Sequence, residues 1–359
     1  MDPGLTARST PSPHPWSFPT GPGLTGLRGR TLIHTNPTDL KLVDDLIDPH
    51  AGGIILTGRG NSHRGVIRTH SRRLPVMRDA GAHYRRPRHG PNELFELSDN
   101  LFGSGLAADL DQQLANGFCT AITPTRYIPA DHRLTLETVI EAIDDLARND
   151  TLCLLPLSLR WLSGEFLKRL DHALRYAITP VGILFPHPRI NDPHGRAPVE
   201  LHHLLTDHPG TGLLSTDLTG LAAVARSGAL ASIGVPRPSW FAPVRLPSDT
   251  EDSPHVLVPK LLQWFTTATL RDLATRGRTF TCDCQVCLNG PVHRLNCPVT
   301  VLRHNTARVS EWASRLRLAP DPAGWWRGMC LEALNAFEEL PWYESLRPHH
   351  TMLDMWSRG

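Results

Sequence analysis

Between residues 31 and 236, short apolar runs alternate with segments whose apolar positions recur every three or four residues. The runs lie at 31–35, 52–58, 74–81, 117–125, 151–158, 179–187, 210–217 and 230–236. Most are bounded by glycine, proline or aspartate, as buried parallel strands tend to be. Between them, "TLETVIEAIDDLA" sets Leu136, Val139, Ile140, Ile143 and Ala147 on one stripe. "LSGEFLKRLDHALRYA" does the same with Phe166, Leu167, Leu170 and Leu174. That spacing predicts amphipathic helices. A shorter helix of small residues is expected in "DLTGLAAVARSGAL". Eight strands with helices between them predict an α/β fold, a (β/α)8 TIM barrel over residues 28–249. The first two crossovers are short and glycine-rich, so a doubly wound sheet is the competing architecture.

After about residue 245 the texture changes. "HVLVPKLLQWFTTATLRDLATRG" reads as helical, a cysteine-rich stretch follows, and 306–340 reads as further helix. Residues 250–359 are therefore expected to form a zinc-binding subdomain with closing helices. The first 27 residues are rich in proline and glycine and read as a flexible tail.

Composition narrows the class of function only a little. Net charge is +2, so no global excess advertises nucleic acid or a membrane surface. Lys41, Lys168 and Lys260 are the only lysines among 37 basic residues, so the rest are arginine, whose forked guanidinium suits phosphate. No apolar run reaches the ~18 residues of a membrane span. The N-terminus lacks the apolar centre of a secretory signal. With an odd total of 7 cysteines, a reducing cytoplasm is expected rather than a disulfide framework.

The cysteines are concentrated in "TFTCDCQVCLNG", where Cys282, Cys284 and Cys287 follow the pattern C-x-C-x-x-C. Buried thiols need no such crowding, whereas zinc takes four tetrahedral sulfur or nitrogen ligands. His293, Cys297 and His304 are the candidates for the fourth ligand. Such a shell is normally closed and structural. "CDCQVC" followed at a distance by "HN" resembles the zinc site of the tRNA-guanine transglycosylase family. The resemblance implies a (β/α)8 barrel with a C-terminal zinc subdomain, and Cys282, Cys284, Cys287 and His304 as ligands. It also implies the replacement of guanine by a 7-deazaguanine in nucleic acid, in tRNA or, as in related enzymes, in DNA.

Reactive groups of such barrels sit at the C-terminal ends of strands. Asp79-Ala80-Gly81 closes the third run and resembles the family's Asp-Ser-Gly-Gly turn, whose aspartate takes part in the reaction. An ordinary helix cap is the alternative role for Asp79. Base exchange builds positive charge at the sugar carbon, which a second carboxylate can trap. Asp217, ending the seventh run, is that candidate, again with a capping role as alternative. Gly81, Thr123, Ser158, His187 and Gly234, all at strand ends, are candidates for lining a base pocket. A basic run that includes Arg64, Arg68, Arg72, Arg73, Arg85 and Arg86 surrounds Asp79 in sequence and suits a polyanion, an exposed solvated loop being the alternative.

Two functions follow from these residues. One is a base-exchange transglycosylase acting with Asp79 and Asp217. The other is a zinc-stabilised, non-catalytic subunit that binds nucleic acid, either as a homodimer or beside a catalytic partner. The family's Phe-Asp-Cys nucleophile context is absent from the chain, which is the argument for the second. A barrel enzyme of another reaction class is a third possibility, because fold does not dictate chemistry.

Overall fold

The computed structural model describes residues 26–57, 74–84, 93–97, 105–130, 135–185, 197–228, 230–235, 254–340 and 347–358. Eight parallel strands form one sheet: β1 (Thr31–Thr35), β2 (Ile54–Thr57), β3 (Val76–Asp79), β4 (Ala121–Ile122), β5 (Thr151–Pro156), β6 (Val181–Leu184), β7 (Gly212–Thr216) and β8 (Ala231–Gly234). Their order is β3-β2-β1-β8-β7-β6-β5-β4, so the first and last strands in sequence are neighbours. The remaining gap, between β3 and β4, is bridged where the Cys119 N–H donates to the Val76 carbonyl at 3.0 Å. The sheet is thus a nearly closed (β/α)8 barrel, as the alternation of strand and helix predicts, and not an open doubly wound sheet.

Helices wrap the outside: α1 (Pro37–Leu40), α2 (Leu106–Ala115), α3 (Thr135–Asp144), α4 (Gly164–Tyr176), α5 (Ala197–Asp207) and α6 (Thr219–Ser227). The stripe Leu136, Val139, Ile140 and Ile143 is buried, as its period requires. The first crossover is only α1 and a 3-10 turn, Asp44–Leu46, while residues 58–73 of the second lie outside the described residues.

The segment after residue 254 departs from the helical expectation. Residues 255–266 form a hairpin, β9 (His255–Val258) with β10 (Gln263–Thr266), before α7 (Thr267–Thr275) begins. Val256 and Val258 favour extended backbone, Pro259 cannot continue a ladder, and Leu262 turns the chain with φ 47°. A two-stranded knuckle follows, β11 (Thr281–Cys282) with β12 (Gly290–Pro291). The long helix α8 (Pro298–Leu318) then packs on β1, α6 and the 44–46 turn, where a barrel's eighth helix belongs. Ser310 Oγ accepts from the Asp48 N–H at 2.9 Å, and Arg303 grips Asp45 at 2.8 Å. Helices α9 (Pro322–Glu338) and α10 (Arg347–Ser357) complete the chain. One apolar core joins the outer faces of β1, β2 and β8 to α6, α8, α9, α10 and the hairpin.

Candidate metal centre and barrel rim

Side chains alternate along a strand, so parity decides what enters the barrel. Leu32, Ile55, Met77, Leu154, Leu184 and Leu214 share one buried cluster, the apolar filling of the interior. Two residues further along β1, β2 and β3, the same parity brings in His34, Thr57 and Asp79. An apolar layer is therefore roofed by a polar one at the C-terminal end of the strands.

Asp79 is 3% exposed. Its Oδ1 accepts the Gly81 N–H at 2.8 Å, a turn that works because Gly81 adopts φ 67°. Its Oδ2 has no hydrogen-bond partner among the described residues and stands 3.6 Å from His34 Nε2 and 3.8 Å from His83 Nε2. His34 Nε2 is 2.5 Å from Thr57 Oγ1, and its Nδ1 is 3.4 Å from Ser232 Oγ on β8. Ser232 Oγ also accepts the Ser215 N–H at 2.8 Å. That contact exists because β7 bulges there: Ser215 has φ 50° and the register to β8 shifts between Leu213 and Thr216.

Burial pushes the His34 imidazole down from its ordinary 6.5 to about 4, against the pull of Asp79 and with a small push from His83. Burial also lowers His83, again opposed by Asp79. Both rings are therefore neutral near pH 7. The unfolded chain takes up a proton at His34 below about pH 6.5 that the folded one refuses until about 4, so stability is full above that window and falls within it. From about pH 7.5 to about pH 5 the His34 contribution to unfolding free energy should fall by about 2 kcal/mol. Urea unfolding of the wild type and of His34→Gln at the two pH values measures this; equal pH dependence in both would reject it.

The other residues expected at the rim fall into four groups. Asp217 follows β7, and its Oδ1 accepts the Thr219 N–H at 2.8 Å and the Thr219 hydroxyl at 2.6 Å, so the carboxylate caps the entry to α6. Thr123 accepts the Leu154 N–H at 2.9 Å and shares a hydroxyl bond with Thr125 at 2.7 Å, and Ser158 Oγ accepts the Arg160 N–H at 3.3 Å. These hydroxyls hold the barrel wall and a turn. Gly234 pairs with His34 at the end of β8. His187, Arg64, Arg68, Arg72, Arg73, Arg85 and Arg86 lie outside the described residues.

The cysteine stretch converges. Ligand atoms of Cys282, Cys284, Cys287 and His304 lie within 4.8 Å of one another, and among the described residues no other group of three or more such side chains is found as close. The turn that makes this possible has the Cys287 and Leu288 N–H groups on the Cys284 carbonyl, at 3.0 and 2.9 Å. Leu288 and Asn289 then take left-handed φ values of 50° and 66°. His304 lies within α8 rather than at its first turn, because the helix starts earlier, at Pro298. His293 sits on a 3-10 turn and Cys297 is exposed at the helix cap; neither joins the group.

His304 Nε2 donates to the Leu257 carbonyl at 2.8 Å, which leaves the Nδ1 lone pair facing Cys287 Sγ at 3.1 Å and Cys284 Sγ at 3.5 Å. Arg308 donates to Cys282 Sγ at 3.0 Å and also contacts Asp283 and Glu311. A buried, pre-assembled set of three sulfurs and one imidazole could hold a metal ion such as zinc, and the guanidinium would offset the surplus thiolate charge. The next residue extends the clamp. Asn305 Oδ1 accepts the Leu257 N–H at 3.0 Å, while its Nδ2 donates to the carbonyls of His255 at 2.8 Å and Val235 at 3.0 Å. The metal group, the hairpin and the end of β8 are thus tied to one turn of α8.

His34, Ser232 and Arg308 belong to no motif in the sequence, and Asn305 enters there only as the neighbour of His304. His34 was legible: in "TLIHT" it shares the parity of Leu32 and sits at a strand end. Ser232 carried no signal, since its role depends on a bulge in the neighbouring strand.

No family model matches the chain, and no curated protein matches it. Among solved structures, the carboxyl transferase domain of Rhizobium etli pyruvate carboxylase, as a single-residue variant with pyruvate, aligns with TM-score 0.34 at 9% identity over 94% of this chain and 62% of that one. The same domain with pyruvate and biocytin gives 0.33 at 9%, over 93% and 61%. A Rhizobium etli pyruvate carboxylase variant crystallised without acetyl coenzyme A gives 0.32 at 9%, over 94% and 36%. The chain therefore spans less than two thirds of the length of each of these three.

Proposed function

We propose that this protein is a base-exchange transglycosylase of nucleic acid, replacing guanine by a 7-deazaguanine, with a structural zinc ion at Cys282, Cys284, Cys287 and His304. The observation that carries it is a buried carboxylate, Asp79, on the inner face at the C-terminal end of β3, with neutral imidazoles on either side. Barrels of this kind act at that end of their strands. A target nucleotide would leave its stack to reach the rim. There Asp79 handles the proton of the base, while trapping the sugar carbon falls to the second carboxylate, Asp217. The zinc ion would supply no step; held by the 282–287 turn and His304, it would tie the knuckle to α8.

One observation favours a second function, the non-catalytic subunit: the Asp217 carboxylate is engaged by Thr219 at the start of α6. The assay that decides is release of labelled guanine from tRNA or duplex DNA on addition of a 7-deazaguanine. Asp79→Asn should reduce release by at least a hundredfold, on the scale of a lost proton-transfer group. Asp217→Asn should do the same if it is the nucleophile and leave release intact if it is only a cap. Salt-dependent polynucleotide binding without release from either nucleic acid would establish the subunit instead.

A further inference from the structure

We propose that His34 is the positioning residue of the rim: held by Ser232 as its Nε2–H tautomer, it directs that N–H toward Asp79 Oδ2 and so fixes the carboxylate as an acceptor for the substrate. The role of the substrate rests on the base-exchange function above; the hydrogen-bond chain does not. It begins at the β7 bulge. Ser232 Oγ already accepts from the Ser215 N–H at 2.8 Å, so its own proton is available for His34 Nδ1 at 3.4 Å. An imidazole that accepts at Nδ1 carries its proton on Nε2 when neutral. Nε2 then faces Thr57 Oγ1 at 2.5 Å and Asp79 Oδ2 at 3.6 Å.

A small rotation of the ring would exchange the hydroxyl for the carboxylate, so the N–H is poised between a resting partner and a working one. Burial supports the neutral ring. Among the described residues, the groups facing Asp79 are His34 from β1, Thr57 from β2 and His83 from the turn after β3. Only the histidines among these titrate near neutrality. His34 and His83 do not gather with Asp79 as tightly as the four metal-ligand residues do, which favours an acceptor site over a second metal site. The ligand class is a planar heterocycle offering an N–H edge to Oδ2, as a purine does.

The test uses the whole zinc-loaded protein. Nitrogen-15 shifts of the His34 ring should report the Nε2–H tautomer in the wild type; an Nδ1–H tautomer overturns the proposal whatever the variants do. With aspartate carboxyls labelled by carbon-13 and Asp79 assigned by its loss in Asp79→Asn, His34→Ala should displace the Asp79 carboxyl resonance at pH 7.5, and His34→Gln, which returns a donor at the Nε2 position, should bring it back toward its wild-type place. Guanine release should fall roughly ten- to a hundredfold in His34→Ala and recover most of that in His34→Gln. If the resonance responds but the wild type releases no base, base exchange fails and the positioning role stands. An Asp79 carboxyl resonance that is the same in wild type, His34→Gln and His34→Ala overturns it. If His34→Ala does not fold, His34→Asn takes its place, since its shorter amide cannot reach the Nε2 position.

Discussion

Replacing Cys284 by serine is expected to strip the bound metal and to lower Tm by on the order of 10 °C or more. The ligands come from two places, the knuckle at 282–287 and the middle of α8, and only folding brings them together. An ion bound to that shell stabilises the folded chain by nearly its whole binding free energy, because the unfolded chain offers no such site. Three remaining ligands would hold the ion far less tightly. What is left between knuckle and helix is weaker: Cys282 and Asp283 keep their contacts with Arg308 of α8, and His304 keeps Leu257. Metal content per chain, with melting in the presence and absence of a chelator, checks this. Wild-type protein that melts at the same temperature with and without its metal would dismiss a structural role.

The second large effect is expected at Asn305, which touches no metal. Asn305→Ala should destabilise the fold by about 4 kcal/mol while leaving zinc stoichiometry near that of the wild type. The side chain is fully buried and satisfies one N–H and two carbonyls, those of Leu257, His255 and Val235. Alanine would take that partner from each of these groups, the Leu257 N–H and the Val235 carbonyl losing it in buried surroundings. Asn305→Asp isolates the donor half, because a carboxylate can accept from Leu257 but cannot give to the two carbonyls. Equilibrium unfolding in urea at fixed zinc concentration is the measurement. A loss below about 1 kcal/mol would mean that the backbone of the hairpin is held by packing alone.

The eight strands were legible because each is a short apolar run between turn residues, a pattern that survives in one dimension. The helices α3 and α4 were legible from their stripes. Residues 255–266 were not: "HVLVPKLLQWFTT" is apolar enough for either period, and the choice of hairpin depends on Asn305 supplying a partner to Leu257 and His255. The three cysteines announced themselves by spacing. Their histidine did not, because His293, Cys297 and His304 are all within reach in sequence, and the packing of α8 against β9 brings in only the last.

The sequence by itself determined the barrel, through alternation of strand and helix, and the candidate metal knuckle, through thiols crowded into one turn. Both are local patterns whose physical basis lies within a few residues. The tertiary structure alone decided that His34 lies between Ser232 and Asp79, and that Asp217 turns to its own helix. Those outcomes depend on which strands lie side by side when the sheet closes and on a single bulge in β7, and chain order carries no record of either.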